Sequence, residues 1–188
     1  MLQHIPAPAA TSLLDALHSD TGEPTLFLVT GACGSGKTTL CRALADEALR
    51  LGKHVCGVLS PPVFDSGRKV GISLLNLATG ESRLLARRRE AVDTPAVTTT
   101  EWAFDPVVLA WGDDVLRETG ACDLLVVDEL GPLELERGEG WQSALPLIDR
   151  GAYHAALVVV RPRLLDAALA RWPRAAVLDA ALREEGPR

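Results

Sequence analysis

The chain has 188 residues, of which 47% are hydrophobic and 23% are charged, a composition typical of one globular domain. A domain of this length buries enough apolar surface to fold without disulfides or a structural metal. Nineteen lysines and arginines stand against twenty-five aspartates and glutamates, and this net charge of −6 excludes nucleic-acid binding through a general excess of cations.

Local features of the sequence point the same way. The basic run Arg87–Arg89 is followed by Glu90 and is interpreted as a solvated strand end. The first ten residues lack the basic start of a signal peptide, and no apolar run reaches the roughly 20 residues of a membrane-spanning helix. The cysteines form no CxxC pair and no zinc-binding spacing. We therefore expect a cytoplasmic protein that binds neither nucleic acid nor membranes.

The chain is predicted to divide into three parts. Residues 1–24 are interpreted as an N-terminal appendage, with a short amphipathic helix over Ser12–His18 and a linker rich in proline and glycine. Residues 25–180 form the predicted domain, and residues 181–188 form a C-terminal tail. The sequence indicates no function for the appendage.

The predicted domain opens with a β-α-β unit. The apolar run Thr25–Thr30 is typical of a buried parallel strand. Lys37–Leu51 has apolar residues at helical spacing and is followed by Gly52, and His54–Ser60 is a second buried strand. The loop between the first strand and the helix is therefore placed at the carboxyl edge of the sheet.

The middle of the chain predicts antiparallel structure. Lys69–Leu77 and Ser82–Arg88 flank a short loop that contains a glycine, the pattern of a β-hairpin inserted into the sheet or added to its edge. Glu90–Thr100 is polar and irregular, and we expect a mobile loop there. A helix then begins with Asp105 as its N-cap and Pro106 at its first position, and ends before Gly120.

Strands and helices alternate in the rest of the domain. The predicted elements are, in order, a strand at Asp123–Asp128, a weak helix at Trp141–Arg150, a strand at Ala155–Val160, a helix at Pro162–Trp172 and a strand at Ala175–Leu178. This alternation predicts an α/β fold with a mainly parallel sheet and helices on both faces.

A phosphate-binding motif lies between the first strand and its helix. The residues fit G-x-x-x-x-G-K-[ST] without a mismatch: Gly31, Ala32, Cys33, Gly34, Ser35, Gly36, Lys37 and Thr38. The glycines let the backbone N–H groups face phosphate oxygens, and the helix N-terminus favours an anion. We expect Lys37 to reach the β- and γ-phosphates, Thr38 to ligate Mg²⁺, and Thr39 to complete the nucleotide-binding set.

Cys33 is the unusual residue of this motif, because a thiol beside a helix N-terminus is a candidate for oxidation. Nucleotide binding would then be sensitive to oxidation. The alternative is that this motif position simply tolerates a cysteine.

Two acids follow the strand that begins at Asp123. Because parallel strands present their carboxyl ends at one edge, Asp128 should emerge beside the phosphate-binding motif and hold the metal. Glu129 is placed near the γ-phosphate, where a carboxylate can activate water. A salt bridge or a helix cap remains the alternative role for Glu129.

Three segments together resemble a known family. They are Gly31–Thr38, the Gly-Arg-Lys-Val-Gly stretch at 67–71, and the Asp-Glu-Leu-Gly-Pro-Leu-Glu stretch at 128–134. In this order they are similar to the small P-loop nucleoside-triphosphatases first described from thermophiles, the THEP-type family, which includes the cancer-related nucleoside-triphosphatase. The resemblance covers roughly residues 26–178.

The resemblance implies a RecA-like fold and Mg²⁺-dependent hydrolysis of a nucleoside triphosphate, such as ATP or GTP, with broad base tolerance. It implies phosphate and metal roles for Lys37 and Thr38, metal and water roles for Asp128 and Glu129, and a catalytic role for Arg68. From the residues alone, Arg68 is equally well a solvated hairpin arginine.

The chain departs from the family pattern around the expected base and γ-phosphate ends of the site. Ile72 replaces an aromatic residue, Thr100–Phe104 replaces a Val-Gly-x-Tyr segment, and Arg161 stands near a usual Thr-x-His. Arg161 is predicted either to contact the nucleotide or simply to precede the helix that begins at Pro162. Trp102 and Phe104 either stack on a base or pack in the core.

Two other functions remain open. A kinase would pass the γ-phosphoryl group to an acceptor held by the arginine-rich segment Ser66–Arg89. A nucleotide-dependent switch in cofactor assembly would depend on a protein partner for its rate. The position of Glu129 directly after Asp128 favours water as the acceptor.

Overall fold

A nine-stranded sheet forms the centre of the computed structural model, which describes residues 11, 13, 15–17, 23–89 and 101–181. The strands are β1 (Thr25–Thr30), β2 (Val55–Leu59), β3 (Pro62–Asp65), β4 (Arg68–Asn76), β5 (Ser82–Arg88), β6 (Trp102–Phe104), β7 (Cys122–Leu130), β8 (Tyr153–Val160) and β9 (Ala176–Asp179). The helices are α1 (Lys37–Arg50), α2 (Pro106–Glu118), α3 (Ala144–Arg150) and α4 (Leu165–Arg171), with a π-helical turn at Leu133–Arg137 and a 3₁₀ turn at Pro162–Leu164.

The sheet joins a parallel part to an antiparallel part. Its order is β6-β5-β4-β2-β7-β8-β1-β9, and β3 pairs with β4. The five strands from β2 to β9 in this order are parallel, whereas β3, β4, β5 and β6 pair antiparallel. The carboxyl ends of β1, β2, β7 and β8 therefore meet at one edge. In parallel α/β sheets, ligands bind at this edge.

Apolar residues cover both faces of this sheet. One face packs against α2, α3 and α4, and the other packs against α1. Fully buried aliphatic residues of β7 and β8 alternate between the two clusters, which is why these strands read as continuous apolar runs. The predicted fold, a mainly parallel α/β sheet with an added hairpin, is confirmed.

The described residues of the N-terminal segment also pack in the core. Leu13, Ala16 and Leu17 lie in the same apolar cluster as α1, and the Lys53 ammonium group donates a hydrogen bond to the Leu17 carbonyl at 3.0 Å. Thr11, Leu13 and 15–17 are helical, as predicted. The segment contributes buried surface, while the domain boundary at residue 24 stays a prediction.

The antiparallel arm, which we define as β3 to β6, extends beyond the carboxyl edge of the parallel strands. Leu75 of β4 lies opposite Leu59 at the end of β2, and the seven preceding residues of β4 continue past that edge. β2 ends at Leu59, before Pro61 and Pro62, and Pro62 then opens β3, a position on an edge strand where proline is tolerated.

Other predicted elements differ at their ends. The helix expected from Trp141 begins at Ala144, and the helix expected from Pro162 begins as a 3₁₀ turn. Asp105 caps α2 as predicted, because its carboxylate accepts a hydrogen bond from the Val107 N–H at 2.8 Å. The predicted loop Glu90–Thr100 lies outside the described residues. In the described part of the chain, no helix is long and apolar enough to cross a membrane.

Candidate active site at the phosphate-binding loop

The phosphate-binding loop connects β1 to α1 at the carboxyl edge of the sheet. Gly34 and Gly36 have φ angles of 76° and 92°, which glycine adopts without strain. Gly31 has a φ of 138°, and a Cβ atom there would lie 2.6 Å from the Ser35 Oγ, so a side chain at that position would be strained and would displace the Ser35 hydroxyl. Gly36 provides no side chain to cap α1, and the first N–H groups of the helix are left to bind an anion.

The Lys37 side chain folds back over this loop. Its ammonium group donates to the carbonyl oxygens of Gly31 and Ala32, each at 2.8 Å. The positive charge therefore lies above the backbone that is predicted to hold phosphate. Ser35 to Thr38 are partly buried, and the side-chain oxygen of Ser35 is buried without a hydrogen-bond partner in the described structure.

Gly31 is buried, whereas Ala32, Cys33 and Gly34 of the loop and Thr39 of α1 are exposed. The exposed Cys33 thiol is open to an oxidant, and its influence on nucleotide binding stays a prediction.

Asp128 is the buried acid of the site, with 1% of its surface exposed. One carboxylate oxygen accepts a hydrogen bond from the Ser60 N–H at 2.9 Å, and the Thr38 side chain lies near enough to the carboxylate to lower its pKa. Burial raises the pKa of Asp128 to about 6, while the Ser60 hydrogen bond, the Thr38 side chain and the charge of Lys37 limit the rise. The structure thus places the two predicted metal ligands beside each other.

This pair is chemically suited to a magnesium ion. Mg²⁺ prefers oxygen ligands and usually keeps several waters, so a hydroxyl and one carboxylate beside a phosphate-binding loop are sufficient protein ligands. In the described residues, no group of three or more histidine, cysteine or acidic side chains is gathered for a metal. The Thr38–Asp128 pair therefore fits a metal that is shared with substrate phosphates rather than one held by the protein alone.

A β-bulge places the second acid. The register of β7 against β8 runs from Val127 opposite Val158 to Leu130 opposite Val160, so Asp128 and Glu129 share one partner position. Glu129 has a φ of 87°, which is unusual and strained for a residue with a Cβ. The bulge lets two consecutive carboxylates serve the same edge, since an unbroken strand would point them to opposite faces.

Arg161 contacts Glu129 directly. The Arg161 Nε–H donates to the Glu129 Oε1 at 2.8 Å, and the Nη2 nitrogen contacts the same oxygen. The salt bridge that was the alternative role for Glu129 is therefore present in this structure. The predicted contact between Arg161 and a nucleotide, and the predicted activation of water by Glu129, stay predictions.

Arg68 lies apart from these residues. It is exposed at the turn between β3 and β4, seven positions along β4 from Leu75. At about 3.4 Å per residue, it stands roughly 24 Å from the end of β2 along the arm. Within the described residues, no hydrogen bond or ion pair joins Arg68 to the phosphate-binding loop, and its catalytic role stays a prediction.

The two edge aromatics favour packing over base stacking. Trp102 and Phe104 are partly buried against the core, and the Lys69 ammonium group lies 4.8 Å from the centre of the Trp102 ring. One surface cavity of about 450 Å³ is lined by Arg83, Trp111 and other residues of β5 and α2 rather than by the phosphate-binding loop. The candidate site is an open edge with backbone amides, a hydroxyl group and carboxylates. Such an edge binds phosphates without enclosing much volume.

Sequence reasoning missed two residues that shape the site. The backbone of Ser60 holds Asp128, and only the adjacency of β2 and β7 reveals this. Glu134 is buried, and its carboxylate accepts hydrogen bonds from the N–H groups of Gly131 at 2.8 Å and Trp141 at 3.0 Å. A glutamate three residues after Gly131 in the sequence was the available signal for this turn.

Comparisons with known proteins agree with this geometry. The NTPase family matches residues 26–170. Nucleoside-triphosphatase THEP1 of Ignicoccus hospitalis is 31% identical over 134 residues, covering 69% of this chain and 75% of that protein. The THEP1 protein of Methanopyrus kandleri is 31% identical over 164 residues, covering 87% and 83%. The solution structure of a human cancer-related nucleoside triphosphatase has a TM-score of 0.59 at 22% identity, over 86% of this chain and 90% of that one, and shares the fold.

Proposed function

This chain belongs to the NTPase family, and we propose that it hydrolyses nucleoside triphosphates to the diphosphate and phosphate with the help of Mg²⁺. The observation that carries the proposal is the proximity of Thr38, at the start of α1, to the buried carboxylate of Asp128 on β7. This pair places a hydroxyl and a carboxylate beside the loop whose amides face a phosphate.

Binding of the triphosphate depends on the loop in this proposal. Backbone N–H groups of residues 31–38 hold the β- and γ-phosphates, and the Lys37 ammonium group exchanges its carbonyl partners for phosphate oxygens. Thr38 and Asp128 would hold Mg²⁺, and the bound metal would neutralise charge on the β- and γ-phosphate oxygens.

Hydrolysis transfers the γ-phosphoryl group to water. The water oxygen bonds to the γ-phosphorus, the bond to the β–γ bridging oxygen breaks, and the Glu129 carboxylate accepts the proton of the water. The bulge supports this role because it brings Glu129 to the same edge as Asp128. The family resemblance also gives Arg68 the role of stabilising charge on the transferred group, which requires the arm to bring Arg68 closer to the loop than it is in this structure.

Phosphate release from ATP, GTP, CTP and UTP, with and without Mg²⁺, tests the proposal. We expect turnover of several nucleotides that depends on the metal. Lys37→Ala should lower turnover by at least about 10²-fold, and Glu129→Gln by about 10²- to 10⁴-fold with binding retained. Glu118→Gln changes an exposed residue at the carboxyl-terminal end of α2. It is the control and should retain full turnover.

Other outcomes would redirect the assignment. Turnover that appears only with an added hydroxyl acceptor would identify a kinase. Tight binding with no turnover would contradict hydrolysis by the chain alone and would indicate a switch that needs a protein partner. A Lys37→Ala variant with unchanged turnover would show that the activity does not come from this site.

A further inference from the structure

Arg161 lies between the two halves of the proposed site. It directly follows β8, and β8 lies between β7 and β1 in the sheet. Glu129 is near the end of β7 on one side, and Gly31 follows β1 on the other. Since neighbouring strands are about 4.8 Å apart, the long side chain of Arg161 has the acid on one side and the phosphate-binding loop on the other.

The contact with Glu129 is one that a stronger anion can displace. The side chains of Arg161 and Glu129 are 54% and 43% exposed, and ion pairs at such exposure contribute little. A terminal phosphate carries up to about two negative charges and binds a guanidinium through two parallel hydrogen bonds. The γ-phosphate therefore competes well with a single carboxylate for Arg161.

The contact also matters for Glu129. Two guanidinium nitrogens converge on the same oxygen, Oε1, which is then occupied and not available to a water. The bulge backbone keeps Glu129 at the edge whether or not Arg161 remains, because its conformation is set by the pairing of β7 with β8. Loss of the contact would release the carboxylate without moving it away from the site.

We propose that Arg161 exchanges partners when a nucleoside triphosphate binds, leaving the Glu129 carboxylate for the γ-phosphate. The triphosphate itself then frees the residue that activates water, and a diphosphate does not. This inference rests on the proposed function for the role of Glu129, but the exchange itself is a matter of binding and is measurable without turnover.

A double-mutant cycle on nucleotide affinity tests the exchange. Calorimetric titrations with adenylyl-imidodiphosphate and with ADP would be run on the wild type, Glu129→Gln, Arg161→Gln and the double variant. Glu129→Gln removes the charge that competes for Arg161, so the imidodiphosphate should bind more tightly. Part of any gain is reduced repulsion between Glu129 and the phosphates, and that part persists in the Arg161→Gln background.

Glu129→Gln is expected to increase the affinity for the imidodiphosphate by a factor that is about two- to fivefold larger when Arg161 is present than when it is absent. This is the range of one exposed ion pair. ADP should show no such difference. Arg163→Gln, a change of an exposed arginine two residues away, should leave the gain as in the wild-type background.

Equal gains in the two Arg161 backgrounds would overturn the exchange, and so would the same difference with ADP or an absence of nucleotide binding. The outcomes also separate the two proposals. Phosphate release with equal gains would refute only the exchange. Unequal gains without phosphate release would refute only the hydrolase.

Discussion

Glu134 offers a sharp test of how the acidic turn after β7 is held together. Its buried carboxylate accepts one hydrogen bond from the Gly131 N–H at 2.8 Å and one from the Trp141 N–H at 3.0 Å. Both of these residues are themselves buried. Glu134→Ala would leave two backbone donors without a partner in a place that water reaches poorly.

The magnitude follows from that count of donors. A buried donor that loses its partner costs about 1–3 kcal/mol, so the alanine variant should lose about 2–6 kcal/mol of its free energy of unfolding. Glu134→Gln keeps one accepting oxygen and turns an amide group towards the other donor, so its loss should be about 1–3 kcal/mol. Since the free energy of unfolding of a whole domain is about 5–15 kcal/mol, the alanine variant is expected to be only marginally stable.

Urea unfolding followed by circular dichroism measures these losses as shifts of the midpoint at constant slope. Glu136→Ala is the matched control, because Glu136 lies in the same π-helical turn and is exposed, and its effect should stay within about 0.5 kcal/mol. The reasoning is refuted if Glu134→Ala unfolds at the same urea concentration as this control. A glutamine variant as stable as the wild type would show that the one contact it loses contributes nothing.

Three further changes test other parts of the structure. Burial places the pKa of Asp128 at about 6 in the folded protein against 3.8 ordinarily, so its ionised form costs stability near pH 7, and that cost disappears as the pH falls to about 4. Without metal, the Asp128→Asn variant should be more stable than the wild type by up to about 3 kcal/mol at pH 7, and no more stable at pH 4. Denaturant unfolding at both pH values measures this, and a difference in the free energy of unfolding that is the same at pH 4 and pH 7 would contradict it. Gly57→Ala should destabilise strongly, because φ is 102° and the new Cβ would lie 2.0 Å from the Val126 carbonyl oxygen; an unchanged melting temperature would refute that clash. Asp105→Ala should cost about 0.5–2 kcal/mol through loss of the α2 cap, and thermal unfolding no different from that of the wild type would show the cap to be dispensable.

Features set by neighbouring residues were predictable from the sequence. The phosphate-binding loop needs glycines, a lysine and a hydroxyl residue in one short segment, and each acts through its own backbone or through the helix that it begins. The start of α2 is equally local, because Asp105 caps amides only two and three residues away. Long apolar runs identified β1, β7 and β8, since a strand buried on both faces leaves no polar alternation.

Contacts between distant parts of the chain needed the tertiary structure. Thr38 and Asp128 are ninety residues apart, and only the strand order brings them beside each other. The sequence predicted that both acids would reach one edge, but an unbroken strand would have separated them. The β-bulge brings both acids to the same edge, and it depends on the pairing of β7 with β8.

The N-terminal segment and Arg161 show the same limit. The amphipathic pattern of residues 12–18 predicted a helix, but only the structure showed that Leu13 and Leu17 pack in the α1 cluster. For Arg161, the sequence left a nucleotide contact and a helix start open, and the fold supplied Glu129 as a partner from another strand. By itself the sequence determined the phosphate-binding loop and most strands and helices, because short-range sterics, caps and apolar periodicity act along the chain. The tertiary structure alone decided which acid meets which hydroxyl or guanidinium, because those distances depend on strand order and register.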